Sequence, residues 1–146
     1  MIVDMSALVA ILRDEPEAES FALVLAADPS PRMSTANYLE TAIVIDSSRD
    51  PIASRQVDHL VAKAGIVLEP VTAEQSQVAR AAYRDFGKGS GHPAQLNFGD
   101  CFAYALAKCT DQPLLFKGND FLHTDVAPVE LASEGNNAGR GEDHSE

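Results

Sequence analysis

Short apolar runs alternate with longer stretches of helical periodicity along most of the chain. Ile2-Val3 is closed by Asp4, and Ser6-Ala7-Leu8-Val9-Ala10-Ile11-Leu12 then opens a helix whose N-cap is Asp4 or Ser6. Over residues 16–27 helical spacing gathers Ala18, Phe21, Val24 and Leu25 on one side, while Glu15, Glu17 and Glu19 suit the positive end of the helix dipole. Arg32-Met33-Ser34 reads as a second strand, and Ser34 or Thr35 caps the helix that follows through Tyr38-Leu39-Glu40-Thr41-Ala42-Ile43-Val44-Ile45. Asp50-Pro51 starts a helix that stops at Gly65, and Ile66-Val67-Leu68 makes a third strand. Thr72-Ala73-Glu74-Gln75 has the form of a capping box for a helix ending near Phe86, and Gly87 to Pro93 is a loop by composition. Asn97 caps the next helix, Pro113-Leu114-Leu115-Phe116 supplies a strand, and Ala127 to Leu131 a weak last one. The pattern predicts an α/β fold: one domain with a central, mostly parallel sheet flanked by helices on both faces.

At 146 residues the chain has length for one domain, expected over residues 1–131. Residues 132–146 lack large apolar side chains and are expected to form a disordered acidic tail. The balance of 11 basic against 22 acidic residues, −11, argues against a broad electrostatic grip on nucleic acid and favours a basic protein partner. Residues 130–146 hold five acids and one Arg, −4, which leaves −7 for residues 1–129. Cys101 and Cys109 lie eight residues apart in one predicted helix, about 12 Å along its axis, so they read as reduced thiols. No signal-like segment opens the sequence, and no apolar run nears the roughly 20 residues a bilayer requires. A cytoplasmic protein without a membrane segment is expected.

Acids stand where they are expensive. Asp4 ends a buried strand, Glu40 sits in an apolar helical stretch, and Asp100 occupies the first turn of the strongest helical pattern, Asn97-Phe98-Gly99-Asp100-Cys101-Phe102-Ala103-Tyr104-Ala105-Leu106-Ala107. Asp120 follows the strand at Leu114-Leu115-Phe116. Sites in such sheets form beyond the carboxyl ends of strands, so all four acids are candidates for one cleft. Hard oxygen ligands with no His or Cys cluster select Mg²⁺, with Mn²⁺ as a substitute, over zinc. Each acid also has a structural reading: Asp4 and Asp100 as helix caps, Glu40 as an ion-pair or snorkelling residue, Asp120 as a turn residue with Asp125 competing for its role.

Val3-Asp4-Met5-Ser6-Ala7-Leu8, the helical Glu40, the Asn97 to Ala107 block and Leu114-Leu115-Phe116-Lys117-Gly118-Asn119-Asp120-Phe121 resemble, in order and spacing, the four characteristic blocks of PIN-domain ribonucleases. The likeness is nearest to VapC-like toxins of bacterial toxin–antitoxin systems and covers residues 1 to about 130. The resemblance implies a Mg²⁺-dependent endoribonuclease that leaves 5′-phosphate and 3′-hydroxyl ends, forms a homodimer and is inhibited by a cognate antitoxin. It matches Asp4, Glu40 and Asp100 to the family's three principal acids, which would hold the metal, and Ser6 to its active-site hydroxyl. Where relatives often carry a further acid two residues ahead of the Asp-Phe pair, this chain has Gly118, so the fourth acid is either Asp120 or absent, which bears on whether a second metal is held.

Other phosphate chemistries fit poorly. A haloacid-dehalogenase-like site wants an acid where Ser6 stands, a response-regulator receiver wants an Asp after the third strand where Glu69-Pro70 stands, and no dinucleotide or phosphate-binding Gly-rich loop follows a strand. Arg80, Arg84 and Lys88 recur every four residues, either as a solvated face or as a phosphate-binding strip for RNA, with Lys117 a further RNA-binding candidate. His92 and His123 read as surface residues, and Tyr83, Phe86, Phe98, Phe102 and Tyr104 as core or dimer interface. The rival class is a non-catalytic PIN-like module that keeps the fold and only binds a protein.

Overall fold

The computed structural model describes residues 1–131; the tail expected over 132–146 lies outside them. Four short strands, β1 (Ile2–Val3), β2 (Arg32–Ser34), β3 (Val67–Glu69) and β4 (Leu114–Leu115), form one parallel sheet in the order β3-β2-β1-β4. Ile2 pairs with Arg32 on one side and Leu114 on the other, and Val3 with Leu115. Helices α1 (Met5–Leu12), α2 (Ala18–Ala27), α3 (Thr35–Asp46), α4 (Pro51–Ala64), α5 (Ala73–Phe86) and α6 (Phe98–Thr110) make the connections, and a 3₁₀ turn, Asp120–His123, follows β4.

Period-two alternation sorts the core into two layers. Ile2 and Leu114 point into a cluster with Leu96, Ala103, Leu106 and Phe121, closed by α5 and α6. Their neighbours Val3 and Leu115 point the other way, to Leu8, Phe21, Leu25 and Met33 from α1, α2 and β2. Both faces of the β1–β4 pair are therefore covered, which is why these strands read as apolar runs without polar alternation. Local signals set the helix ends. Asp50 accepts from the Ile52 N–H ahead of Pro51, and Gly65 ends α4 in a left-handed conformation (φ 67°).

Two expectations are corrected in detail. Residues 127–131 form no strand: Ala127 and Val129 each share a single backbone hydrogen bond with Leu114, a bridge at the sheet edge. At Thr72 only half of the expected capping box exists, because Oγ1 accepts from the Gln75 N–H while the Gln75 side chain donates to the Pro70 carbonyl instead.

The sheet order places a topological switch at β1: the chain moves from β1 outward to β2 and β3, then returns to β4 on the other side. The carboxyl ends of β1 and β4 therefore bound a crevice that no crossover covers. Leu8, fully buried beside β1, should destabilise the domain by about 2–5 kcal/mol when cut to Ala, measured by urea unfolding.

Candidate active site

Asp4 leaves β1 and caps α1. It is only 3% exposed, its Oδ2 accepts from the Ser6 N–H (3.0 Å) and the Ser6 hydroxyl (2.6 Å), and its own N–H donates to the Leu115 carbonyl (2.9 Å). The Ser6 oxygen in turn accepts from the Lys117 backbone N–H at 2.9 Å. A chain of three groups thus joins the ends of β1 and β4. Asp100 also caps: it closes a reciprocal box with Asn97, its Oδ2 accepting from the Asn97 N–H (3.0 Å) while Asn97 Oδ1 accepts from the Asp100 N–H (2.9 Å). Both caps use one carboxylate oxygen and leave the other out of the cap.

Capping does not account for what the carboxyls feel. Burial pushes the Asp4 carboxyl up to about 6 against the hydrogen bonds from Ser6, and the Glu40 charge adds to the rise. Burial likewise pushes Asp100 up to about 6, with Asp4 and Asp120 adding to it and Lys88 opposing it. Glu40, half-buried, is raised by burial and by Asp100, against a hydrogen bond from Asn37. Glu40 thus adds to the rise at Asp4, Asp100 to that at Glu40, and Asp4 and Asp120 to that at Asp100, so the acids lie near enough for their charges to be felt.

These side chains suit a hard divalent cation in their donor chemistry: carboxylates alone, mutually repelling, with no His or Cys among them. Among the described residues no three such side chains stand close enough to enclose an ion as they are.

Other candidates divide. Asp125 is engaged elsewhere, accepting from the Tyr104 hydroxyl (2.5 Å) and pairing with Lys108 (3.0 Å), whereas the Asp120 charge is felt at Asp100. Gly118 has φ 96°, a conformation that L side chains rarely adopt, which suits glycine at the position where an acid was looked for. The Lys117 side chain does not offer itself to RNA: its ammonium pairs with Glu15 and, at 3.3 Å, Glu17. Arg84 pairs with its neighbour Asp85, whereas the Lys88 charge reaches Asp100. Arg80 borders an apolar cavity of about 360 Å³ with Tyr83, Phe98 and Phe102. Sequence reasoning missed Asn37, 1% exposed in α3, whose amide touches both Glu40 and Gly99. An Asn three residues before Glu40 was the available signal.

With this geometry in place, likeness to known proteins is decisive. The sequence pattern of the PIN domain matches residues 1–127. The chain belongs to the PIN-domain family. Ribonuclease VapC28 of Mycobacterium tuberculosis is 60% identical over 126 residues, 86% of this chain and 95% of the relative. Ribonuclease VapC of Mycolicibacterium smegmatis is 55% identical over 129 residues, covering 88% and 99%. Within the PIN-domain family this chain therefore groups with the VapC ribonucleases. The crystal structure of M. tuberculosis VapC20, described as a Sarcin-Ricin loop cleaving toxin, shares the fold with a TM-score of 0.70 at 16% identity over 88% of this chain and 98% of that one. A toxin–antitoxin complex from Klebsiella pneumoniae matches with a TM-score of 0.65 at 14% identity, over 88% and 98%.

The raised carboxyls fix the sign of a pH effect. A carboxyl at about 6 when folded and 3.8 when unfolded holds its proton more tightly in the folded state. Its contribution to stability is then fully present below 3.8 and lost as pH rises toward 6. For Asp4 the loss is about 2–3 kcal/mol. In EDTA, Asp4→Asn should melt progressively higher relative to the parent protein as pH rises from 4 to 7, with no further gain above 7. Parallel melting curves would mean that Asp4 ionises normally.

Proposed function

We propose that this PIN-domain protein is a divalent-cation-dependent endoribonuclease, the toxin of a toxin–antitoxin pair acting on cytoplasmic RNA. The observation that carries the reading is the electrostatic convergence of Asp4, Glu40, Asp100 and Asp120 at the β1–β4 switch point, in a chain 60% identical to a ribonuclease. A divalent cation, Mg²⁺ or Mn²⁺ in its place, would be held by Asp4, Glu40 and Asp100 with Asp120 assisting, and would supply the Lewis acidity that makes water a nucleophile toward phosphorus. The chain's own part is preorganisation. Ser6, anchored by the Lys117 N–H, fixes Asp4 Oδ2, the Asn97 box fixes Asp100, and Lys88 places positive charge where an RNA phosphate would approach Asp100. The products expected carry 5′-phosphate and 3′-hydroxyl ends.

Two partners belong to the proposal. An exposed apolar face crosses α3, α5 and α6 beside the acids, with Leu39 57%, Ile43 60% and Phe98 78% exposed and Tyr83 nearby. The patch carries no charge to meet a phosphate backbone, and Phe98 is already packed edge-to-face on Phe102, so a second copy of this chain that buries the patch against itself is the occupant, giving a homodimer. An antitoxin with a basic segment is the second partner, matched to a net charge of −11 and to carboxylates that an Arg or Lys would neutralise.

Purified protein should cleave RNA in Mg²⁺ or Mn²⁺ and not in EDTA. Asp100→Asn, which preserves the cap, should lower the rate at least about a hundredfold without loss of folding. Cleavage that survives in EDTA, or in Asp4→Asn, Glu40→Gln and Asp100→Asn alike, would abandon the reading. Ile43→Asp should shift sedimentation from dimer to monomer; an unchanged sedimentation coefficient would place the dimer contact elsewhere.

A further inference from the structure

Asn37 holds none of the roles above, yet its carboxamide is sealed inside the protein at 1% exposure. Its Nδ2 donates to the Gly99 carbonyl at 2.9 Å, across to α6, and to Glu40 Oε1 at 3.3 Å, one turn along α3. Both neighbours only accept, so the orientation of the amide follows from them: turned over, its oxygen would face two acceptors. The same orientation strands Asn37 Oδ1, a buried acceptor with no partner. Packing alone would be served better by an apolar residue of that volume, since an unpaired buried polar atom destabilises the fold.

Gly99 confines Glu40 from the opposite side. A Cβ on Gly99 would stand 2.0 Å from Glu40 Oε2 and 2.6 Å from its Cδ, so the carboxylate occupies the space that a side chain would take. The next residue along α6 is Asp100, whose charge Glu40 feels.

We infer that Asn37 is a positioning residue: its amide ties α3 to the first turn of α6 and, with the space left at Gly99, holds Glu40 where it and Asp100 reach one cation. The cation itself rests on the proposed function. Asn37 acts through Glu40, so its removal matters only while Glu40 is present to be placed.

Mn²⁺ titrated calorimetrically into the parent protein, Asn37→Ala, Glu40→Gln and the double variant tests this. Asn37→Ala should weaken Mn²⁺ binding about tenfold or more in the parent background, and less than about twofold when Glu40→Gln is already present. Equal losses in both backgrounds would make Asn37 a merely structural residue and overturn the inference. Gly99→Ala carries the test if Asn37→Ala does not fold, because alanine favours the helix while displacing Glu40. It should lower Mn²⁺ affinity by a similar factor without lowering the melting temperature, and undiminished affinity overturns the inference. RNA cleavage is scored separately: a parent protein that binds Mn²⁺ and leaves RNA intact would sink the ribonuclease reading while the coupling of Asn37 to Glu40 still stands or falls on the titrations.

Discussion

A carboxylate buried at the end of β1 is the constraint from which the rest of the site follows. Asp4 is 3% exposed and hydrogen-bonded by Ser6, yet its carboxyl is raised to about 6, so burial outweighs the bonds that stabilise its charge. The Glu40 charge worsens that imbalance, and Asp100 is raised in the same way by burial with Asp4 and Asp120 adding to it. A fold selected for stability alone would neutralise or expose such groups. Here they are held together by elements that leave them little freedom: a strand end, two helix caps and an amide lodged between helices. The mutual repulsion is what favours a cation, since ion binding relieves it.

Capping and ligation are therefore not rival explanations for Asp4 and Asp100. A carboxylate that accepts from a backbone N–H at the start of a helix, as Asp4 does at the N-cap and Asp100 does three residues after Asn97, is fixed in direction by that bond, with its second oxygen outside it. Capping orients the group, and the neighbouring acids give the orientation a use. The same double duty appears at Lys117, where the backbone N–H pins Ser6 and the side chain ties the segment after β4 to Glu15 and Glu17 at the start of α2. The lysine contributes to the crevice by holding its wall, although it donates no charge to it.

How much of this was legible in the sequence depended on range. The apolar runs of β1 and β4, the Asn97 cap and the Gly65 stop are local signals, and each appears in the structure. The principal acids were visible because ionised residues inside apolar patterns conflict with local expectation, and such conflict marks sites. What failed depended on partners distant in the chain. Residues 127–131 alternate like a strand, but among the described residues their ladder bonds go to Leu114 alone. Asp125 looked equivalent to Asp120 until Tyr104 and Lys108, both from α6, engaged it. Lys117 looked free because Glu15 and Glu17 lie about a hundred residues away, and no periodicity reports a contact of that span.

Asn37 and Gly99 show the limit most clearly. By composition the first is an ordinary polar residue near the start of a helix and the second a poor helix former near a cap. Their meaning emerges only when α3 and α6 meet, across a separation of 62 residues, and the Glu40 carboxylate lies in the space between amide and backbone. A glycine at the first turn of α6 sacrifices helix propensity, and a stranded Asn37 oxygen sacrifices polar pairing. Both sacrifices fall on one carboxylate and neither improves the core, so the position of Glu40 is what they have in common.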